Sequence, residues 1–170
     1  MEKTMHELKT ISPDAIPRAV QKAERYRLLN QSWATESICL DILQVDPGNQ
    51  QVLVMFLLSL TDQFAAEPGD LVKRAHAVLE RLTDDYQRNY YAGIIDERLG
   101  HAKLEHGAIH AEAIAYNSFR AAMASFERAE QLRQPGNDDA ILRWNTCVRT
   151  LERLRLRDDS EVQYAPHFGE

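Results

Sequence analysis

ILQVDPGNQQVLVMF, residues 42–56, decides the fold. An apolar stripe over Ile42 and Val45 marks the end of one helix. Asp46-Pro47-Gly48 stops it, because proline lacks the N–H and the φ freedom that a helix interior requires. Asn49 is a residue type favoured at helix N-caps, and the apolar run from Val52 follows at once. The same cadence returns at 129–144 as AEQLRQPGNDDAILRW. Both copies carry Pro-Gly-Asn, two polar residues, an apolar triplet (Val52-Leu53-Val54 or Ala140-Ile141-Leu142), and then an aromatic, Phe56 or Trp144. A repeated helix–turn–helix junction predicts an array of helical hairpins, an architecture that binds partners more often than it transforms substrates.

Working outward, helical periodicity dominates and no strand alternation stands out. A first helix is expected from near Asp14 to Asn30, with Pro17 in its first turn, and a second from a Ser32 cap to Val45. The third follows Asn49 and is apolar on every side between Val52 and Leu58, which suits a central helix covered on most faces. Glu67-Pro68-Gly69-Asp70 opens a fourth with the stripe Leu71, Ala75, Val78 and Leu82. Thr83 is expected to cap a fifth that runs past Leu99. The sixth spans about 108–133, with Ala115, Phe119, Ala122, Phe126 and Ala129 on one face. Asn137 is expected to cap a seventh that fades near Arg157. Residues 1–13 and 158–170 read as loose ends, although Val162, Tyr164 and Phe168 around Pro166 give the tail the composition of a docking peptide.

These elements resemble the tetratricopeptide repeat (TPR) family, whose unit is a helical hairpin of about 34 residues. Ala122, Phe126, Ala129 and Pro135 follow the order found in that family's second helix, with the Pro one residue late. Ile42 to Pro47 is similar to its closing phrase. Ala23 with Tyr26, and Gly93 with Gly100, match its small-residue, aromatic and loop-glycine positions. The small-residue anchors Ala23, Leu57, Gly93 and Asn145 are spaced by 34, 36 and 52 residues. The resemblance implies an all-α, short right-handed α-solenoid: repeat 1 at about 14–48, repeat 2 at 49–82, repeat 3 at 84–135 swollen by an insertion around 101–118, and a capping helix at 138–157. Lys22, Asn89 and Asp96 depart from it, standing where apolar or aromatic residues are expected.

Composition narrows the partners. The 170 residues carry 26 acidic and 20 basic side chains, a formal charge of −6. Nucleic acid is therefore not the expected partner, since phosphate neutralisation needs a concentrated cationic surface. The longest apolar run, Val52 to Leu58, is far shorter than the ~20 residues of a membrane span. MEKTMHELKTISPD has no apolar core of a secretory signal. Cys39 and Cys147 lie in apolar helical patterns and read as buried reduced thiols, so a cytoplasmic location is expected.

No reaction centre is expected. His106 and His110, four apart in HAKLEHGAIHAEA (101–113), could share a helix face and chelate a metal, with Glu105 and Glu112 nearby. Gly107, however, stands where a catalytic Glu would be and weakens the helix there. Asp84-Asp85 and Asp138-Asp139 suit the positive ends of helices, and Asp158-Asp159 opens the tail, which has no periodicity. The expected role is therefore a non-enzymatic adaptor or scaffold without cofactor or metal. If it is TPR-like, its concave face draws on the first helix of each pair: Val20, Glu24 and Arg27; Val54, Leu58 and Thr61; Tyr90, Ile94 and Arg98; Leu142, Thr146 and Arg149. The Lys and Asn residues with which some TPR proteins grip a terminal carboxylate are replaced here by Val20, Glu24, Val54 and Leu58. An apolar peptide or amphipathic helix of a protein partner is the expected guest. The alternatives are a homodimer formed through the third or sixth helix and a metal site in the His101–His110 cluster.

Overall fold

A computed structural model describes residues 6–66 and 68–158, and the docking-peptide residues of the tail lie outside that range. The described residues are all-α. A 3₁₀ turn at Pro13–Ala15 leads into α1 (Ile16–Leu28), followed by α2 (Ser32–Val45), α3 (Gln50–Thr61), α4 (Pro68–Leu79), α5 (Asp85–His106), α6 (Ala111–Leu132) and α7 (Asp139–Leu154). Each helix packs on the next in chain order, and α1 also meets α3 as α3 meets α5. The result is a helical repeat-like array built from neighbour contacts. Residues 6–13, expected to be loose, are held at one point: Ile11 packs against the core.

The two Pro-Gly-Asn junctions are alike in sequence but not in geometry. Asn49 caps α3 as expected, its side chain accepting from the Val52 N–H at 3.1 Å while its amide donates to Asp46 at 3.0 Å. The turn before α5 then closes over this junction. Arg81 donates to the Pro47 carbonyl at 2.7 Å, and Gln50 accepts from the Thr83 N–H at 2.9 Å. At the second copy Gly136 has φ 86°, and Asn137 accepts instead from Asp139 N–H, at 3.2 Å, and from the Tyr86 hydroxyl. Asp138, not Asn137, is the N-cap position of α7, and it makes no side-chain cap.

Two other expected caps shift by one residue. Asp84, not Thr83, caps α5 by accepting from Gln87 N–H at 2.7 Å. Ser32 is already the first residue of α2, and its hydroxyl donates to Asp62 rather than to its own helix.

The expected insertion becomes helix. Both α5 and α6 have 22 residues, against 12 for α3 and α4, and Gly107 at φ 58° turns one into the other. Along this long pair, two glycines of α5 receive two rings of α6. A β-carbon on Gly93 would lie 2.5 Å from the Phe126 ring, and one on Gly100 would lie 3.1 Å from Phe119. The glycines are seven residues apart on one strand of the pair and the rings seven apart on the other, which is the spacing of two helical turns in antiparallel register.

The core has two parts, one around α1–α4 and one between α5, α6 and α7, with Tyr91 packing against both. Cys39 sits in the first and Cys147 in the second, both free and buried. Burial, reinforced by Glu36 at Cys39 and by Glu97 at Cys147, pushes both thiols up to about 12. Thiolate is therefore scarce at pH 8, and iodoacetamide should label the native chain more than about a hundredfold slower than the urea-unfolded chain. Equal labelling rates would contradict this packing.

Candidate interaction groove

The groove begins with what α3 leaves uncovered. Val52, Leu53, Met55, Phe56, Leu57 and Leu60 are buried within the chain, which accounts for the apolar excess of this helix and leaves little of it for self-association. Val54 and Leu58, one turn apart, are only half-buried; Val54 packs on the first core cluster and Leu58 on the second. With Glu24, Arg27 and Leu28 of α1 and Gln51 and Met55 of α3, they line an open cavity of about 330 Å³. Leu28 is 82% exposed at its rim. Gln51 donates to Glu24 across the cavity at 3.3 Å, tying α1 to α3.

One turn beyond Leu58 the surface becomes ionic. Asp62 lies 2.9 Å from Nε of Arg27 in α1 and 3.4 Å from Nη1 of Arg98 in α5. Further along, the carboxylate of Glu97 is buried and takes Nη1 of Arg143 from α7 at 3.2 and 3.5 Å. Burial disfavours the Arg143 cation, but Glu97 and Tyr90 together outweigh it and hold the guanidinium above its ordinary pKa. His101 sits edge-on against Phe119, with ring centroids 5.0 Å apart. Burial lowers its pKa; Arg98 and Arg153 add to that effect, and Glu97 and Glu105 oppose it.

Of the residues expected on the groove, Arg27, Val54, Leu58 and Arg98 come together. Thr61 and Ile94 do not: both are buried, Thr61 bonding the Leu58 carbonyl at 2.9 Å and Ile94 lying inside the second core cluster. Tyr90 lies instead in a separate cavity of about 550 Å³ beside the second Pro-Gly-Asn turn, stacked on Tyr86 with centroids 5.8 Å apart. Thr146 and Arg149 are exposed on α7, where they line a shallow recess with Thr150 and Arg153.

Sequence reasoning missed Asp62, although it stands four residues after Leu58 and so on the same helix face. It also missed Trp33, 70% exposed in the first turn of α2.

The metal alternative fails on geometry. His106 ends α5, while His110 sits in the left-handed region before α6, so the two never share a helix face. Among the described residues no three His, Cys, Asp or Glu side chains converge to hold an ion. Asp84 and Asp85 are accounted for by the cap and first turn of α5, and Asp139 by the first turn of α7. No helix among the described residues is long and apolar enough to cross a membrane.

Comparison with family models, with curated proteins and with solved structures finds no match to this chain. The functional reading therefore rests on the residues themselves.

Proposed function

We propose that this chain is a non-enzymatic adaptor of TPR-like design that holds an amphipathic helix or apolar peptide of a partner protein in the α1–α3–α5 groove. The observation that carries this reading is the cavity where Leu28, Val54 and Leu58 stay accessible beside a core that buries every other large apolar side chain of α3. Apolar surface left open and rimmed by charge is characteristic of interaction sites. The notch of Gly93 around Phe126 and the junction at Pro47 support the tetratricopeptide likeness.

Leu28→Asp tests the reading without a folding penalty, because that side chain is already in water. Partners recovered from the native organism by the intact chain should fall by at least about tenfold with Leu28→Asp, since a charge then replaces an apolar contact at the mouth of a small interface. Unchanged recovery, with helical circular dichroism preserved, would overturn the groove.

One observation favours a second reading. Leu28, Leu29 and Trp33 are all exposed where α1 passes into α2, and an exposed Trp with two leucines suits self-association. In that case light scattering would report a dimer that Trp33→Glu dissolves; a monomer at all concentrations would remove it.

A further inference from the structure

The ionic station at the end of α3 carries more positive than negative charge. Two guanidiniums, Arg27 and Arg98, reach the single carboxylate of Asp62 from opposite sides. Among the described residues neither arginine pairs with a second carboxylate. Two cations thus share one carboxylate on a chain whose total is −6, while Glu24 on the cavity wall is engaged by Gln51. The station is also within reach of a guest: the side chains of Arg27 and Arg98 are 28% and 35% exposed. Arg98 uses one long contact, which leaves most of its five donors free for a planar bidentate acceptor. Arg27 simultaneously lines the apolar cavity, so the cation and the anchors form one continuous surface.

Building on the groove reading, we propose that the bound segment carries an Asp or Glu that seats on the Arg27–Arg98 pair. Asp62, the C-cap of α3, stands one helical turn after Leu58. A guest helix lying along α3 with an apolar anchor over Leu58 thus places its acidic residue three or four positions away. Recognition combines an apolar anchor, which supplies most of the affinity, with a carboxylate that sets direction and register. A basic segment would instead meet two guanidiniums, so the station also rejects partners.

A random peptide display library selected on the intact chain tests this. Selected peptides should pair apolar residues with an Asp or Glu three or four positions away. A synthetic selected peptide should bind about tenfold more weakly when that acid becomes Gln or when salt is raised. Arg98→Gln, which leaves Asp62 paired to Arg27 and the fold intact, should bind the Glu and Gln peptides alike. Leu28→Asp should bind neither. Selected peptides that depend on Leu28 but bind equally with Glu, Gln or Lys would overturn the carboxylate and leave the groove standing. If no selected peptide depends on Leu28, the groove fails and the carboxylate with it.

Discussion

Phe126→Ala lowers the unfolding free energy by about 3–5 kcal/mol, the usual cost of emptying a buried aromatic site. The upper part of that range is expected here for a structural reason. The ring is fully buried, sits in the notch left by Gly93 and packs tilted against Tyr90 with centroids 5.8 Å apart. Two long helices meet across it, so neither can collapse locally to fill the void. The complementary change locates the cause. Gly93→Ala gains up to about 1 kcal/mol of helix propensity, yet its methyl would lie 2.5 Å from a ring with nowhere to go. Overpacking of that kind costs about 1–3 kcal/mol, so Gly93→Ala should be net destabilising. Gly100→Ala, with its nearest ring atom at 3.1 Å, should be close to neutral. Urea unfolding of the three variants decides the matter; a Phe126→Ala loss under about 1 kcal/mol would mean that the helices do not meet in this register.

Arg143→Ala should cost about 2–3 kcal/mol at neutral pH. Glu97 is only 3% exposed and has Arg143 as its ion-pair partner. Removing the cation leaves a buried carboxylate without compensation, a defect worth about 3–5 kcal/mol when the pair is wholly enclosed. The guanidinium here remains about one-third exposed, so the lower figure applies. Replacing both residues together, Glu97→Leu with Arg143→Leu, should recover most of the loss, because no unpaired charge then remains. A double-mutant cycle from denaturant titrations measures this coupling. Additive losses would show that the pair does not join α7 to α5.

What could be read beforehand follows from the range of the forces involved. The 42–56 stretch placed the end of α2, the Asn49 cap and the start of α3, because proline geometry and capping act over four residues. Val54 and Leu58 came from the tetratricopeptide register, since a helix apolar on every side does not itself say which residues stay uncovered. The caps at Ser32, Thr83 and Asn137 were displaced by competition from distant partners: Ser32 is drawn to Asp62, Thr83 to Gln50, and Asn137 to Tyr86. Long-range pairing also hid the ionic station, since nothing local links residues 27, 62 and 98.

The departures Asn89 and Asp96 have similar causes. Asn89 accepts from Arg128 at 3.1 Å. Burial raises the Asp96 pKa, while His76 and Arg128 oppose the shift. Polar residues thus stand at apolar positions where a partner from a neighbouring helix meets them. Ile94 was misplaced because the second core cluster covers it, while Arg98, one turn on along the same face, is only half-buried beside Asp62.

The long α5–α6 pair also bears on the order in which the chain organises. Its two helices are consecutive, joined by a four-residue turn, and they share the most extensive contact in the array. Closing so short a loop is entropically cheap, so this hairpin can assemble before any distant segment arrives. The glycine notches fix its register at two points and leave a preformed wall for α7 on one side and for α3 and α4 on the other. Assembly can then spread outward by neighbour contacts, as in a one-dimensional array. The α1–α2 pair stands at the end away from this hairpin, closed against α3 on one side only. Because α1 forms one wall of the groove, a guest held between α1 and α3 would also act as a clasp on that terminal end of the molecule.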